Sequence, residues 1–205
     1  MGEETRKRVL DPERDGEALK ALTHPLRIRL LGLLRTYGPA TATELGARTE
    51  ESSASTSYHL RVLARHGFVA EAEHRDGRER RWRAVHELTS WSNAAMSGAP
   101  GAREFVDVAR RAQVDHLVES LARYEAEMDA GRLGAEWREN TGVSDLMPRL
   151  TPESLRELNE EFERRVEELA ARDAGDPRAR RVAVFYAAAP LADEEDRSGG
   201  DGVER

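Results

Sequence analysis

The sequence has no cysteine, only 5% aromatic residues and only two lysines, Lys7 and Lys20, among its 32 basic side chains. The missing cysteine excludes a disulfide framework, a thiolate metal site and a cysteine nucleophile together. No stretch approaches the ~18 apolar residues of a membrane span, so no membrane partner is expected. The first twenty residues hold Glu3, Glu4, Arg6, Lys7 and Arg8 without an apolar run. A secretory leader is therefore not expected, and the reading is of a soluble, cytoplasmic protein. The chain has no glycine-rich phosphate loop after a strand, no nucleophile elbow and no histidine-based metal motif. His24, His66, His74 and His86 are scattered, and Asp115-His116 has no later histidine to complete a ligand set. No catalytic residue, cofactor or metal is expected.

What is present is a polar but periodic chain. Hydrophobic residues are 39% and charged residues 35% of the 205 positions, with a mean hydropathy of -0.71. The net charge of -7 is unevenly spread. Residues 1–15 carry four basic and five acidic side chains, and residues 16–86 carry twelve and eight. Residues 87–205 carry sixteen and twenty-six. A basic front on an acidic body suggests that the first part meets a polyanion.

Residues 1–14 read as a polar tail. A short helix opening at Asp15 or Gly16 carries Ala18, Leu19, Ala21 and Leu22. Pro25 suits the first turn of the next helix, about 25–37, with Leu26, Leu30, Leu33, Leu34 and Tyr37 on one side. Gly38-Pro39 ends it, and Thr41-Ala42-Thr43-Glu44 fits a capping box for a helix over about 43–49. A helix over 52–66 follows, N-capped by Ser52. Its inward stripe is Thr56, Leu60 and Leu63, and its other side is small and polar. Phe68–Arg75 and Arg78–Val85 read as strands joined at Asp76-Gly77, because a two-residue Asp-Gly loop favours a tight hairpin turn. The order is that of a winged helix-turn-helix over 15–90.

Breaker-rich residues 91–101 read as a linker, and 102–190 as a helical C-terminal domain. Phe105, Ala109, Val114, Leu117, Leu121 and Met128 mark a long amphipathic helix over about 102–130. Trp137 is expected as a buried anchor. Thr151 and Pro152 open a helix to about 173 with a Leu155, Leu158, Phe162, Val166 and Leu169 stripe. The β-branched and aromatic run Arg181–Tyr186 predicts a short strand, and 191–205 an acidic disordered tail. The fold class is mainly α with a small β wing (α+β).

The segments Leu22-Thr23-His24-Pro25-Leu26-Arg27-Ile28-Arg29-Leu30-Leu31, Ser55-Thr56-Ser57-Tyr58-His59-Leu60-Arg61-Val62-Leu63 and His66-Gly67-Phe68-Val69 carry a resemblance. Over Ala21–Val85 the chain resembles the ArsR-like winged helix-turn-helix family of bacterial transcription regulators. The Leu150–Leu155 helix start and the terminal strand look, more weakly, like larger actinobacterial members. The resemblance implies a repressor. Many relatives sense metals through cysteine or histidine pairs, which this chain lacks.

A recognition helix must present short polar side chains to let its backbone near the groove floor. The candidate DNA contacts on the 52–66 helix are Ser53, Ala54, Ser57, Tyr58 and Arg61, with Ser55 and His59 at the margins. Arg61 can pair bidentately with guanine, and Tyr58 can meet a thymine methyl or a phosphate. His59 could equally be a packed core histidine. On the wing over 68–85 the candidates are Arg75, Arg78, Arg80 and Arg81, with Trp82 facing the core and Arg81 and Arg83 opposite it. Two-fold operators call for a homodimer on double-stranded DNA. Two alternatives stay open. Trp137, Tyr124 or Phe105 could line a pocket for an unidentified small-molecule effector, and the domain could be a protein-interaction module without specific DNA binding.

Overall fold

Leucines at helical spacing build the first core. In the computed structural model, which describes residues 7–72 and 80–191, the chain divides into two units, Met1–Arg123 and Tyr124–Arg205. Helices α1 (Gly16–Leu22) and α2 (Pro25–Tyr37) bury Leu19, Leu22, Leu30, Leu31 and Leu34. Pro25 sits in the first turn of α2, where its missing N–H costs no helical bond. Gly38, at φ 82, ends that helix in a conformation that side chains bearing a Cβ avoid.

Strand β2 (Ala40–Thr41) runs straight into α3 (Ala42–Thr49). The capping box is present: Glu44 N donates to the Thr41 hydroxyl at 3.1 Å, and Thr41 N donates to the Glu44 carboxylate at 2.7 Å. A turn through Glu50, at φ 59, leads to α4 (Ser53–Arg65). Gly46 permits this turn, because a Cβ there would lie 2.6 Å from the Glu51 carbonyl oxygen and 3.2 Å from Thr56 Oγ1.

Strands β3 (Val69–Glu71) and β4 (Arg81–Ala84) are antiparallel, with β2 on the other edge of β4. Trp82 is buried opposite Ala40 and Glu71, as strand alternation requires, while Arg83 is exposed. The Asp76-Gly77 turn lies outside the described residues.

Three expectations need correction. Residues 1–14 are not simply a polar tail, because β1 (Lys7–Leu10) pairs in parallel with β5 (Leu88–Trp91). Leu10 is buried, and the Arg8 guanidinium lies 4.3 Å over the Phe68 ring while donating to the His66 carbonyl and, at 3.3 Å, to Asp15. Residues 91–101 are not a linker either. They hold β5's last residue and α5 (Asn93–Ser97), whose Met96 is buried. The core then continues through Ala102, Phe105, Val106 and Ala109 at the start of α6 (Ala102–Asp129), where Phe105 meets Trp91 edge to face at 5.0 Å. Phe105 is thus a core residue rather than a pocket wall.

The third correction concerns the second unit. It contains α7 (Ala135–Glu139) and α8 (Pro152–Asp173), with Thr151 accepting from Ser154 N at 3.2 Å as N-cap. The expected strand over Arg181–Tyr186 is absent: the segment has no regular secondary structure, and Val182 and Val184 are exposed. Strand preference needs a neighbouring edge to pair with, and none lies beside it among the described residues. Tyr186 instead stacks on Phe162 of α8 at 5.0 Å. Trp137 is only half-buried, with Arg180 5.8 Å over its ring. No described residue of this unit is fully buried. The acidic tail from Ala192 onward lies outside the described residues.

Candidate nucleic-acid interface

The sequence of α4 sorts its two faces. Thr56, His59, Leu60 and Leu63 are buried against the core, while Ser53, Ala54, Tyr58 and Arg61 are exposed and Ser55 and Ser57 are half-buried. The Ser52 hydroxyl accepts from Ser55 N at 3.1 Å, which satisfies one of the free amides at the helix start. Thr43 and Ser53 hydroxyls lie 3.3 Å apart and join the start of α3 to that of α4. The exposed face therefore carries short side chains, one aromatic ring and one arginine.

Of the two places the sequence left open for His59, the groove margin and the core, the structure gives the core. His59 is only 9% exposed, and its ring centroid lies 4.4 Å from that of His24. Burial pushes its pKa below the usual imidazole range, and the neighbouring His24 and Arg27 push it further. His24 is shifted the same way, by burial first and then by Arg27. Both rings therefore resist protonation more than a free imidazole does.

The wing candidates separate as well. Arg80 is exposed, pairs with Glu71 at 3.1 Å and lies 5.9 Å from the Trp82 ring centroid. Arg81 is engaged within the fold, donating to the Pro39 carbonyl at 2.6 Å and pairing with Glu44 at 3.4 Å. It ties the wing to the capping box, and it helps the Thr41 amide hold the Glu44 carboxyl below its usual range. Arg75 and Arg78 lie outside the described residues.

Sequence reasoning passed over His24 and Arg27 as functional candidates. Their place beside α4 follows from tertiary packing, and the only available signal was an arginine in the first turn of a helix with no acidic neighbour. Among the described residues no group of three histidine, aspartate or glutamate side chains is placed to hold a metal ion. No helix among them is long and apolar enough to cross a membrane.

Two helices, a tight turn, a polar-faced third helix and a three-stranded sheet define a winged helix-turn-helix domain. Residues 22–72 match the family described as a helix-turn-helix domain, which is about a quarter of the chain.

The chain is also similar to three solved structures. One is a homodimeric winged helix-turn-helix DNA-binding domain from Mycobacterium bovis, described as a possible ArsR-family transcriptional regulator. It is 20% identical, with 52% of this chain and 79% of that one covered and a TM-score of 0.34. The second is ZitR from Lactococcus lactis at 15% identity, 77% and 88% coverage, and a TM-score of 0.30. The third is the multiple antibiotic-resistance repressor from Listeria monocytogenes at 14% identity, 77% and 84% coverage, and a TM-score of 0.28. Likenesses this distant say nothing of what the chain binds or senses. No curated protein matches it.

Proposed function

We propose that the chain is a sequence-specific double-stranded DNA-binding transcription regulator of the ArsR-like type, a repressor rather than an enzyme, acting in the cytoplasm as a homodimer. The observation that carries this reading is the division of α4: its leucines, Leu60 and Leu63, are buried, and what it offers outward includes Ser53, Ala54, Tyr58 and Arg61. An interaction surface for protein would be expected to expose aliphatic anchors there. A groove reader needs a low polar face with one long donor.

Homodimerisation is supported by two considerations. A single winged helix spans only a few base pairs, so a two-fold operator needs two copies about one helical turn apart. The second unit also leaves Leu158, Val166, Val182, Val184 and Phe185 exposed, apolar side chains that an interface would cover. A second copy of the chain supplies a matching surface by symmetry. In this reading the second unit sets dimer geometry, and a small-molecule effector would act there.

Fluorescence anisotropy tests the reading, with the DNA upstream of the protein's own gene and a scrambled duplex of equal length, each at two salt concentrations. A preference for the native fragment of about a hundredfold or more is expected, since specific sites exceed non-specific ones by at least that much. Weak, equal binding that vanishes at the higher salt would overturn it and leave the protein-interaction reading in front.

A further inference from the structure

Four arginines among the described residues are half-buried: Arg8, Arg27, Arg35 and Arg81. Three of them are answered within the fold. Arg8 meets the His66 carbonyl and Asp15, Arg35 donates to the His86 carbonyl at 2.9 Å and Thr89 Oγ1 at 2.7 Å, and Arg81 meets the Pro39 carbonyl and Glu44. The Arg27 guanidinium makes no hydrogen bond or ion pair among the described residues, and its Nε is buried without a partner. A cation drawn out of water without a counter-charge is costly, so its position calls for an anion from outside the chain.

The surroundings of Arg27 favour one. It lies in the first turn of α2, a helix of 13 residues, whose amide ends carry a partial positive charge. His24, at the N-cap of that helix, makes no side-chain capping bond. Opposite it stands His59 of α4, nine-tenths buried, and the Nδ1 atoms of both rings are buried and unpartnered. Tyr58, 60% exposed on the groove-facing helix, lies within electrostatic reach of Arg27. The Glu51 carboxylate acts on both imidazoles but forms no ion pair with Arg27 among the described residues.

We propose that Arg27, the N-terminus of α2 and the His24–His59 pair form a binding site for a phosphate group. The phosphate that fills it is one of the DNA backbone, captured as α4 enters the major groove. Such a contact fixes the register of the helix on the duplex and carries no sequence information of its own. The source of the phosphate rests on the DNA-binding reading; the site does not.

The test is Arg27→Gln in the full chain, with two kinds of measurement. In anisotropy titrations across several salt concentrations, the variant should weaken native and scrambled duplexes by the same factor. Its log–log salt slope should fall by about 0.9, the value of one phosphate contact. In thermal unfolding the midpoint should not drop, because the lost charge had no partner to leave behind. Inorganic phosphate, compared with chloride at matched ionic strength, should raise the wild-type midpoint and leave that of Arg27→Gln unchanged.

Wild-type protein that binds duplex, with a variant of unchanged slope and no phosphate effect, would overturn the site while leaving the DNA reading intact. Wild-type protein that binds no duplex would sink the DNA reading. The phosphate arm would then decide the site alone, a shift confined to wild type keeping it with free phosphate as occupant and no shift removing it. Should Arg27→Gln fail to fold, Arg27→Met removes the same charge while keeping an aliphatic stem, and the same outcomes apply.

Discussion

Replacing Gly46 by alanine should destabilise the first unit, whereas the same change at Gly32 should stabilise it. Both glycines lie within helices, where alanine is favoured by about 0.8–1.0 kcal/mol. At Gly32 in α2 a new Cβ meets nothing within 4 Å, so the gain is realised. At Gly46 the Cβ lands 2.6 Å from the Glu51 carbonyl oxygen, a backbone atom that cannot rotate away, and 3.2 Å from the buried Thr56 hydroxyl. The turn between α3 and α4 must then yield by several tenths of an ångström. Overpacking of this kind costs about 1–3 kcal/mol, which outweighs the propensity gain and leaves a net loss of about 1 kcal/mol. Thermal unfolding followed by far-ultraviolet circular dichroism reads the difference, since 1 kcal/mol moves the midpoint of a chain this size by about 2–4 °C. The two variants should move in opposite directions. A Gly46→Ala midpoint equal to or above that of wild type would mean that the helices do not approach as described, and the placement of α4 would fall with it.

Acid should weaken the fold in a defined window. Burial holds His24 and His59 below the ordinary imidazole value of about 6.5, so the unfolded chain takes up protons that the folded chain resists. Stability is therefore full above about pH 6.5 and declines as the pH drops below it. The urea midpoint should be lower at pH 5.5 than at pH 7.5, and His59→Gln should reduce the difference without abolishing it, because His86 and His116 are shifted in the same direction. A midpoint that is unchanged or higher at pH 5.5 would contradict the burial of these rings. Arg61→Ala should relax specificity at a single base pair, costing about 1–3 kcal/mol against the preferred base. Binding to a set of single-site operator variants measures this, and a uniform loss at every site would refute base readout by Arg61.

The helices of the first unit were legible because their signals are local. Leu30 and Leu34 recur at helical spacing, Thr41 and Glu44 form a box within four residues, and Ser52 announces α4 by its position alone. Strand β1 had no such signal. It has four residues, one buried side chain, and a partner strand about eighty positions away, so its pairing is set by packing rather than by pattern. The Arg181–Tyr186 run failed in the opposite way. Its β-branched and aromatic residues suit a pleated surface, but the run joins no sheet among the described residues, and Tyr186 stacks on Phe162. At the interface, the short polar residues of α4 are visible in the sequence as a face, but for His59 the sequence leaves the groove margin and the core equally open. A half-turn of helix separates Tyr58 from the core, and only the ring of His24, supplied by another helix, shows which way His59 goes.

The parallel pairing of β1 with β5 has a consequence for how this domain can be cut. The helix-turn-helix segment over 22–72 ends before β4 and begins after Leu10, Leu19 and the Arg8 contact on Phe68. It also omits Trp82, Met96 and Phe105, each of which is buried in the same cluster. An excised 22–72 fragment would expose these interior surfaces and lose both of its strand pairings with β4. The segment that matches the helix-turn-helix family is therefore smaller than the unit that must fold. A minimal folded fragment would have to run from Lys7 through Ala109, so that the ends of the chain segment, not α4, decide whether it stands alone.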